Sequence, residues 1–161
     1  MINGIKIGIL ELYVFVYISY GCKRYYQEFQ SLPTIAYYWY AFTILTMIWE
    51  LFYILRYDYT LDLANDLLTT ETHVWFNTYD LSYLLPWKLS PIFYAEYGAY
   101  ADKDYMTHST YWSRIVEGSH GLLCGLFALL SLYYQHHKHP RRYAICSSVS
   151  MGSQLMNSIL Y

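Results

Sequence analysis

Apolar residues in this chain run in long stretches, not in the short alternations of a water-facing fold. Four stretches approach the roughly 20 residues that a membrane-spanning helix needs. The first covers about residues 5–20 (IKIGILELYVFVYISY), contains Glu11 and stops at Cys22-Lys23-Arg24. The second covers about 35–55 (IAYYWYAFTILTMIWELFYIL), directly after Pro33, a residue suited to a helix start. The third covers about 115–134 and the fourth about 143–161. A cleavable signal peptide is the rival reading of the first stretch, opposed by a leading region with only Lys6 and by the lack of an A-x-A site. The expected fold is all-α: a polytopic transmembrane helix bundle of four spans, one domain over residues 1–161.

Residues 56–111 separate the second and third spans and include VWFNTYDLSYLLPWKLSPIFYAEYGAY. Structureless loops of this length are uncommon, and the density of Trp and Tyr argues against disorder. The segment therefore reads as a surface-lying or partly re-entrant cap over the bundle. It is acidic, with Asp58, Asp62, Asp66, Glu71, Asp80, Glu96, Asp102 and Asp104. Lys23 and Arg24 in one short loop, and Lys138, Arg141 and Arg142 in the other, place both loops on the cytoplasmic side. The cap and the N-terminus then face away from the cytoplasm.

Composition agrees. Hydrophobic residues make up 56% and charged residues only 14%, against about 25% charged in soluble domains. Tyr occurs 22 times, and Tyr and Trp favour membrane interfaces. A net charge of −2 leaves no basic face for nucleic acid. Cys22, Cys124 and Cys146 have no metal or redox spacing, and there is no Gly-rich phosphate loop or H-E-x-x-H, so no metal or nucleotide cofactor is expected. His136, His137 and His139 beside Lys138 fit a basic loop on anionic lipid better than a metal site.

Polar residues inside the spans are costly in lipid and should face one another. Helical spacing puts Thr43, Thr46, Glu50 and Tyr53 on one face of the second span. Glu117, His120, Cys124 and Ser131 share a face of the third, and Ser147, Ser150, Gln154 and Asn157 a face of the fourth. The simplest arrangement points all three stripes at a central cavity. Removal from water disfavours an ionised carboxyl, so Glu50 and Glu117 are suited to carry a proton that His120 can share. A hydrogen-bond network that only glues helices together is the alternative. Gly121 and Gly125 form a small-xxx-small pair suited to close helix packing, and a homodimer is compatible with this reading.

Two stretches carry a family resemblance. WYAFTILTMIWELFYIL (Trp39–Leu55) resembles the glutamate-bearing second helix of the EXPERA family, which includes the emopamil-binding sterol Δ8–Δ7 isomerases and the sigma-2 receptor. Glu96–Tyr161 is similar to the family's stretch in which a Glu-Tyr pair is followed by Asp-x-x-Tyr and then a helix glutamate. The resemblance implies that Glu50 and Glu117 are the acid–base carboxyls, with Asp102 and Tyr105 as the Asp and Tyr of the Asp-x-x-Tyr element. The catalytic candidates are then Glu50, Glu117 and Asp102, joined by His120, which shares a polar face with Glu117 and would help with proton handling. Substrate contacts would come from Thr46, Trp49, Tyr53, Tyr105, Trp112, Cys124, Gln154 and Asn157. Moving an isolated double bond needs protonation of one carbon, deprotonation of another, and shielding of the carbocation between. Aromatic faces stabilise such a cation, and Trp39, Trp49 and Trp112 are candidates.

The chain departs from the family in four ways. Thr46 stands where catalytic members have His, Asp102-Lys103-Asp104-Tyr105 replaces Asp-Ser-Arg-Tyr, the Arg56–Ala95 segment is longer than in the animal enzymes, and the family's fifth helix is not reached. The leading expectation is an isomerase of a sterol or related isoprenoid lipid in the endoplasmic reticulum, in contact with membrane lipids. A non-catalytic sterol or amphiphile binder comes second, and a membrane terpenoid cyclase third.

Overall fold

The Asn3 side-chain oxygen accepts the Lys6 amide at 3.0 Å and so caps the start of helix α1 (Gly4–Tyr25). Just before it, β1 (Ile2–Asn3) pairs antiparallel with β2 (Thr78–Tyr79). The chain continues through a single turn α2 (Gln27–Gln30), α3 (Thr34–Leu55) and α4 (Tyr57–Thr70). A 3-10 turn (Leu81–Leu84) leads to α5 (Pro86–Glu96), which runs on as a π turn (Tyr97–Ala101). After α6 (Trp112–His120) come a π-helical stretch (Gly121–Leu126), α7 (Phe127–His136) and α8 (Pro140–Leu160). This is a computed structural model that describes residues 1–102 and 112–160, without the side chains of Trp112, Asn157 and Leu160.

The chain is nearly all helix. Among the described residues, three helices are long and apolar enough to cross a membrane: Gly4–Tyr25, Thr34–Leu55 and Ser113–His136. No more than 33% of any of these apolar windows is buried inside the protein. Ile9, Tyr13 and Tyr17 on α1 are 63%, 66% and 68% exposed. A helix facing water would be polar on that side; large exposed apolar faces call for lipid. The expected fourth span is present as a helix, α8, but it is less apolar than these three. Ser147, Ser148, Ser150, Ser153, Gln154, Asn157 and Ser158 dilute its hydropathy.

The described residues form two compact units. The first comprises Met1–Val14 and Ile48–Gly118. In it α1 presents one close-packed face, Gly4, Ile7, Gly8 and Glu11, at i, i+3, i+4 and i+7. A Cβ on Gly4 would collide with the Val74 carbonyl oxygen, and one on Gly8 would meet the Phe93 ring at 2.9 Å. Residues 56–101, expected as a cap or loop, fold into α4, α5 and the turns between. Tyr57, Thr60, Ala64 and Leu67 form the buried face of α4, while Asp58, Asp62 and Asp66 face out. Ala64, Leu67, Val74, Ile92, Ala95 and Ala99 make the core between α4 and α5. Pro86 opens α5, as a first-turn proline should.

The second unit comprises Phe15–Met47 and Ser119–Tyr161. Here α7 and α8 pack as a hairpin, turned at Lys138 with φ 57°. Gly121, Cys124, Gly125, Ala128 and Ser131 line one buried face, where small side chains allow close approach. A Cβ on Gly125 would collide with the Met47 side chain. Gly125→Leu therefore overpacks this contact and should cost about 1–3 kcal/mol. Gly21→Ala, with nothing within 4 Å of the added Cβ, should not destabilise. Thermal unfolding of both variants in detergent micelles checks the contrast, and equal melting temperatures would refute it.

Candidate functional site

Glu50 sits one residue after Trp49 on α3 and is 5% exposed. Glu117 lies near the end of α6. Both act on one phenol, that of Tyr94 on α5. The Tyr94 hydroxyl donates to Glu117 Oε2 at 3.5 Å, the long end of a hydrogen bond. Burial first, and then the Glu117 and Glu50 carboxylates, push the Tyr94 phenol far above its ordinary range. Burial and carboxyl groups nearby disfavour a phenolate, so Tyr94 acts as a donor.

Tyr53, one turn beyond Glu50, stacks on Tyr94 with ring centroids 4.4 Å apart and planes 16° from parallel. The Tyr53 and Ser113 hydroxyls share a hydrogen bond of 3.1 Å. Arg114 lies over the Tyr57 ring, 4.0 Å from its centre. The result is a group of two carboxyls, two stacked phenols and a serine, all within the first unit, with Glu50, Tyr53 and Ser113 buried and Tyr94 and Glu117 half-buried. Such a group can pass a proton along hydrogen bonds, and its ring faces can attract a cation. Tyr94 and Ser113 carried no sequence signal: Tyr94 is one of 22 tyrosines and lies in the segment read as cap.

Other expected site residues fall elsewhere. The Trp49 indole N–H donates to Glu11 Oε1 at 3.2 Å, and its ring packs edge-on to Phe93 at 5.4 Å. Glu11 is 3% exposed, and its Oε2 has no hydrogen-bond partner among the described residues. The aromatic faces beside Glu50 and Glu117 are thus Tyr53 and Tyr94. Trp49 braces α1 against α3 within the first unit, and Trp39 packs edge-on to Tyr40 at 5.2 Å. Thr46 is exposed and donates to the Thr43 carbonyl at 3.0 Å on its own helix. Asp102 ends the π turn after α5, its amide bonded to the Tyr97 carbonyl at 2.9 Å. Tyr105 and the side chains of Trp112 and Asn157 lie outside the described residues.

His120 and Cys124 belong to the second unit. His120 Nε2 is 2.6 Å from the Gln154 amide oxygen. That oxygen accepts, so Nε2 carries the proton. The Cys124 carbonyl accepts the Ser150 hydroxyl at 2.6 Å. A cleft of about 520 Å³ opens beside this pair, lined by His120, Cys124, Val149, Ser153 and Met156 among others. The third-helix stripe is thereby divided: the structure groups Glu117 with Glu50 and Tyr94, and His120 with Gln154.

Two groups elsewhere are structural. Glu96 Oε1 is 2.6 Å from His73 Nδ1, and its Oε2 accepts the Val74 amide at 2.9 Å. Glu28 lies 3.5 Å from Lys138 and 3.6 Å from His136. Among the described residues no group of three or more His, Cys, Asp or Glu is arranged to hold a metal. Compared with protein-family models, with curated proteins and with solved structures, the chain has no match.

Proposed function

We propose that this chain is an integral membrane isomerase that shifts a double bond in a sterol or related isoprenoid lipid. The observation that carries the reading is the Tyr94 phenol, which donates to Glu117 and feels the charge of Glu50 within the same unit. One carboxyl gives a proton to an alkene carbon, and the other removes a proton from a neighbouring carbon. The carbocation between them is sheltered by the stacked faces of Tyr53 and Tyr94. The resemblance to the EXPERA family supports this assignment of the two glutamates and, with it, the endoplasmic reticulum as the location.

The same proposal takes α8 as a fourth span. Its polar groups are largely satisfied within the second unit: Ser150 donates to the Cys124 carbonyl, Ser147 shares a 2.5 Å hydrogen bond with Tyr40, and Gln154 meets His120. Ile145, Met151, Leu155, Met156 and Ile159 are exposed, giving lipid an apolar face. The loops at 21–34 and 135–142, with all the Lys and Arg of the second unit, then lie on the cytoplasmic side.

One observation favours a binder instead. Thr46 occupies the family's His position and is exposed, so no imidazole reaches Glu50 from one turn earlier on α3. In that reading the glutamate and tyrosine group holds the polar end of an amphiphile.

Turnover decides. Microsomes containing the chain, supplied with a Δ8-sterol in deuterated water, should yield the shifted isomer with one deuterium, read by gas chromatography and mass spectrometry. Sterol that is retained but never shifted or labelled would leave the binder and remove the isomerase.

A further inference from the structure

A pocket of about 410 Å³ lies between the last turns of α1 and the first turns of α3, lined by Tyr20, Lys23, Arg24, Gln30, Thr34 and Tyr38. Its wall offers two cations, an amide and three hydroxyls, and no carboxylate. The Lys23 ammonium is fixed there: it donates to the Phe29 and Leu32 carbonyls at 2.8 Å each and lies 5.2 Å from the centre of the Tyr37 ring. Gln30 is fixed too, its amide donating to the Arg24 carbonyl at 2.7 Å. Arg24 is exposed, and its guanidinium makes no hydrogen bond or ion pair with another described residue. The pocket is thus pre-built around a charge that no carboxylate among the described residues neutralises.

Its surroundings extend the argument. The second unit carries Lys23, Arg24, Lys138, Arg141 and Arg142 against a single acidic side chain, Glu28. Glu28 is engaged by Lys138 and His136. The pocket also sits where two apolar spans, Gly4–Tyr25 and Thr34–Leu55, reach their ends. On the same two helices Tyr17 is 68% and Ile35 83% exposed, apolar surface within one turn in sequence of the lining residues Tyr20 and Thr34. A ligand matching this site has a phosphate at one end and hydrocarbon at the other.

We propose that this pocket binds the phosphate of an anionic phospholipid headgroup, with Arg24 and Lys23 as its charged contacts and the acyl chains along α1 and α3. The proposal rests on the membrane location of these helices and is independent of the isomerase reading.

Native mass spectrometry of the full chain in detergent micelles, titrated with phosphatidylglycerol or phosphatidylcholine, tests it. Phosphatidylglycerol should be retained in preference to phosphatidylcholine. Arg24→Gln should weaken phosphatidylglycerol binding about fivefold, the effect of one near-surface charge. Its thermal transition should be unchanged, because the side chain ties nothing together. Arg141→Gln removes a charge from the same unit outside the pocket and should leave binding intact. Equal losses in the two variants would mean diffuse attraction, and no loss in Arg24→Gln would mean no site; either overturns the proposal. Displacement of the lipid by millimolar inorganic phosphate would assign the pocket to the free ion and overturn the lipid.

Discussion

Glu117→Gln and Glu50→Gln should each lower double-bond migration by at least about a hundredfold, the lower range for loss of a general acid or base. Glutamine keeps the shape and still accepts a hydrogen bond from the Tyr94 phenol, so the local fold survives. What it loses is the proton. A carboxyl can give one to an alkene carbon and take one back; an amide does neither at neutral pH. Tyr94→Phe is the informative companion, because it keeps the ring stacked on Tyr53 at 4.4 Å and removes only the donor to Glu117. Its loss should be smaller than that of either glutamine variant, since both carboxyls remain. Glu11→Gln is the control: Glu11 is as buried as Glu50 but bonds Trp49, and turnover should stay near that of the parent. Full activity in both the Glu50 and the Glu117 variants would remove these carboxyls from the chemistry. Equal losses across all three glutamates would trace the effect to packing instead.

The long apolar helices were legible because each depends on a local rule. Pro33 and the apolar run behind it predict 35–55, and α3 is Thr34–Leu55. The third window, read as 115–134, lies inside the apolar helix Ser113–His136. α1, read as ending near residue 20, continues to Tyr25. Lys23 and Arg24 suit the negative end of a helix, so they close its last turn where the apolar count had stopped.

The segment 56–101 was harder, since tertiary packing decides it. The inner face of α4 is Tyr57, Thr60, Ala64 and Leu67, and two of these four are not obvious core residues. The site was legible in its carboxyls and not in its partners. Helical spacing places Thr43, Thr46, Glu50 and Tyr53 on one arc. Thr43, Glu50 and Tyr53 are buried, yet Thr46 is exposed. Its hydroxyl is satisfied by its own helix, so no burial is required of it. Tyr94 reaches the glutamates from an element about 40 residues along the chain, a distance no periodicity spans.

Glu96→Leu should destabilise the first unit by about 3 kcal/mol. Glu96 is 7% exposed and holds the turn after α4 with both oxygens, one on His73 and one on the Val74 amide. That turn leaves α4 through Glu71 in the left-handed region, φ 51°. It then offers the Trp75 and Asn77 carbonyls to the Ile5 and Gly4 amides at the start of α1. Leucine matches the volume of Glu96 but strands the Val74 N–H in the core, where an unpaired donor costs about 1–3 kcal/mol. The ion pair adds less than its short distance suggests, because the His73 side chain is 40% exposed and water screens it. Glu96→Gln separates these contributions: its amide oxygen can still accept from Val74, so it should cost no more than about 1 kcal/mol. Thermal unfolding in micelles ranks the two variants, and hydrogen exchange at residues 71–77 locates the damage. Glu96→Leu as stable as Glu96→Gln, with those amides equally protected, would show that the turn is held by packing of Val74 and Trp75 alone.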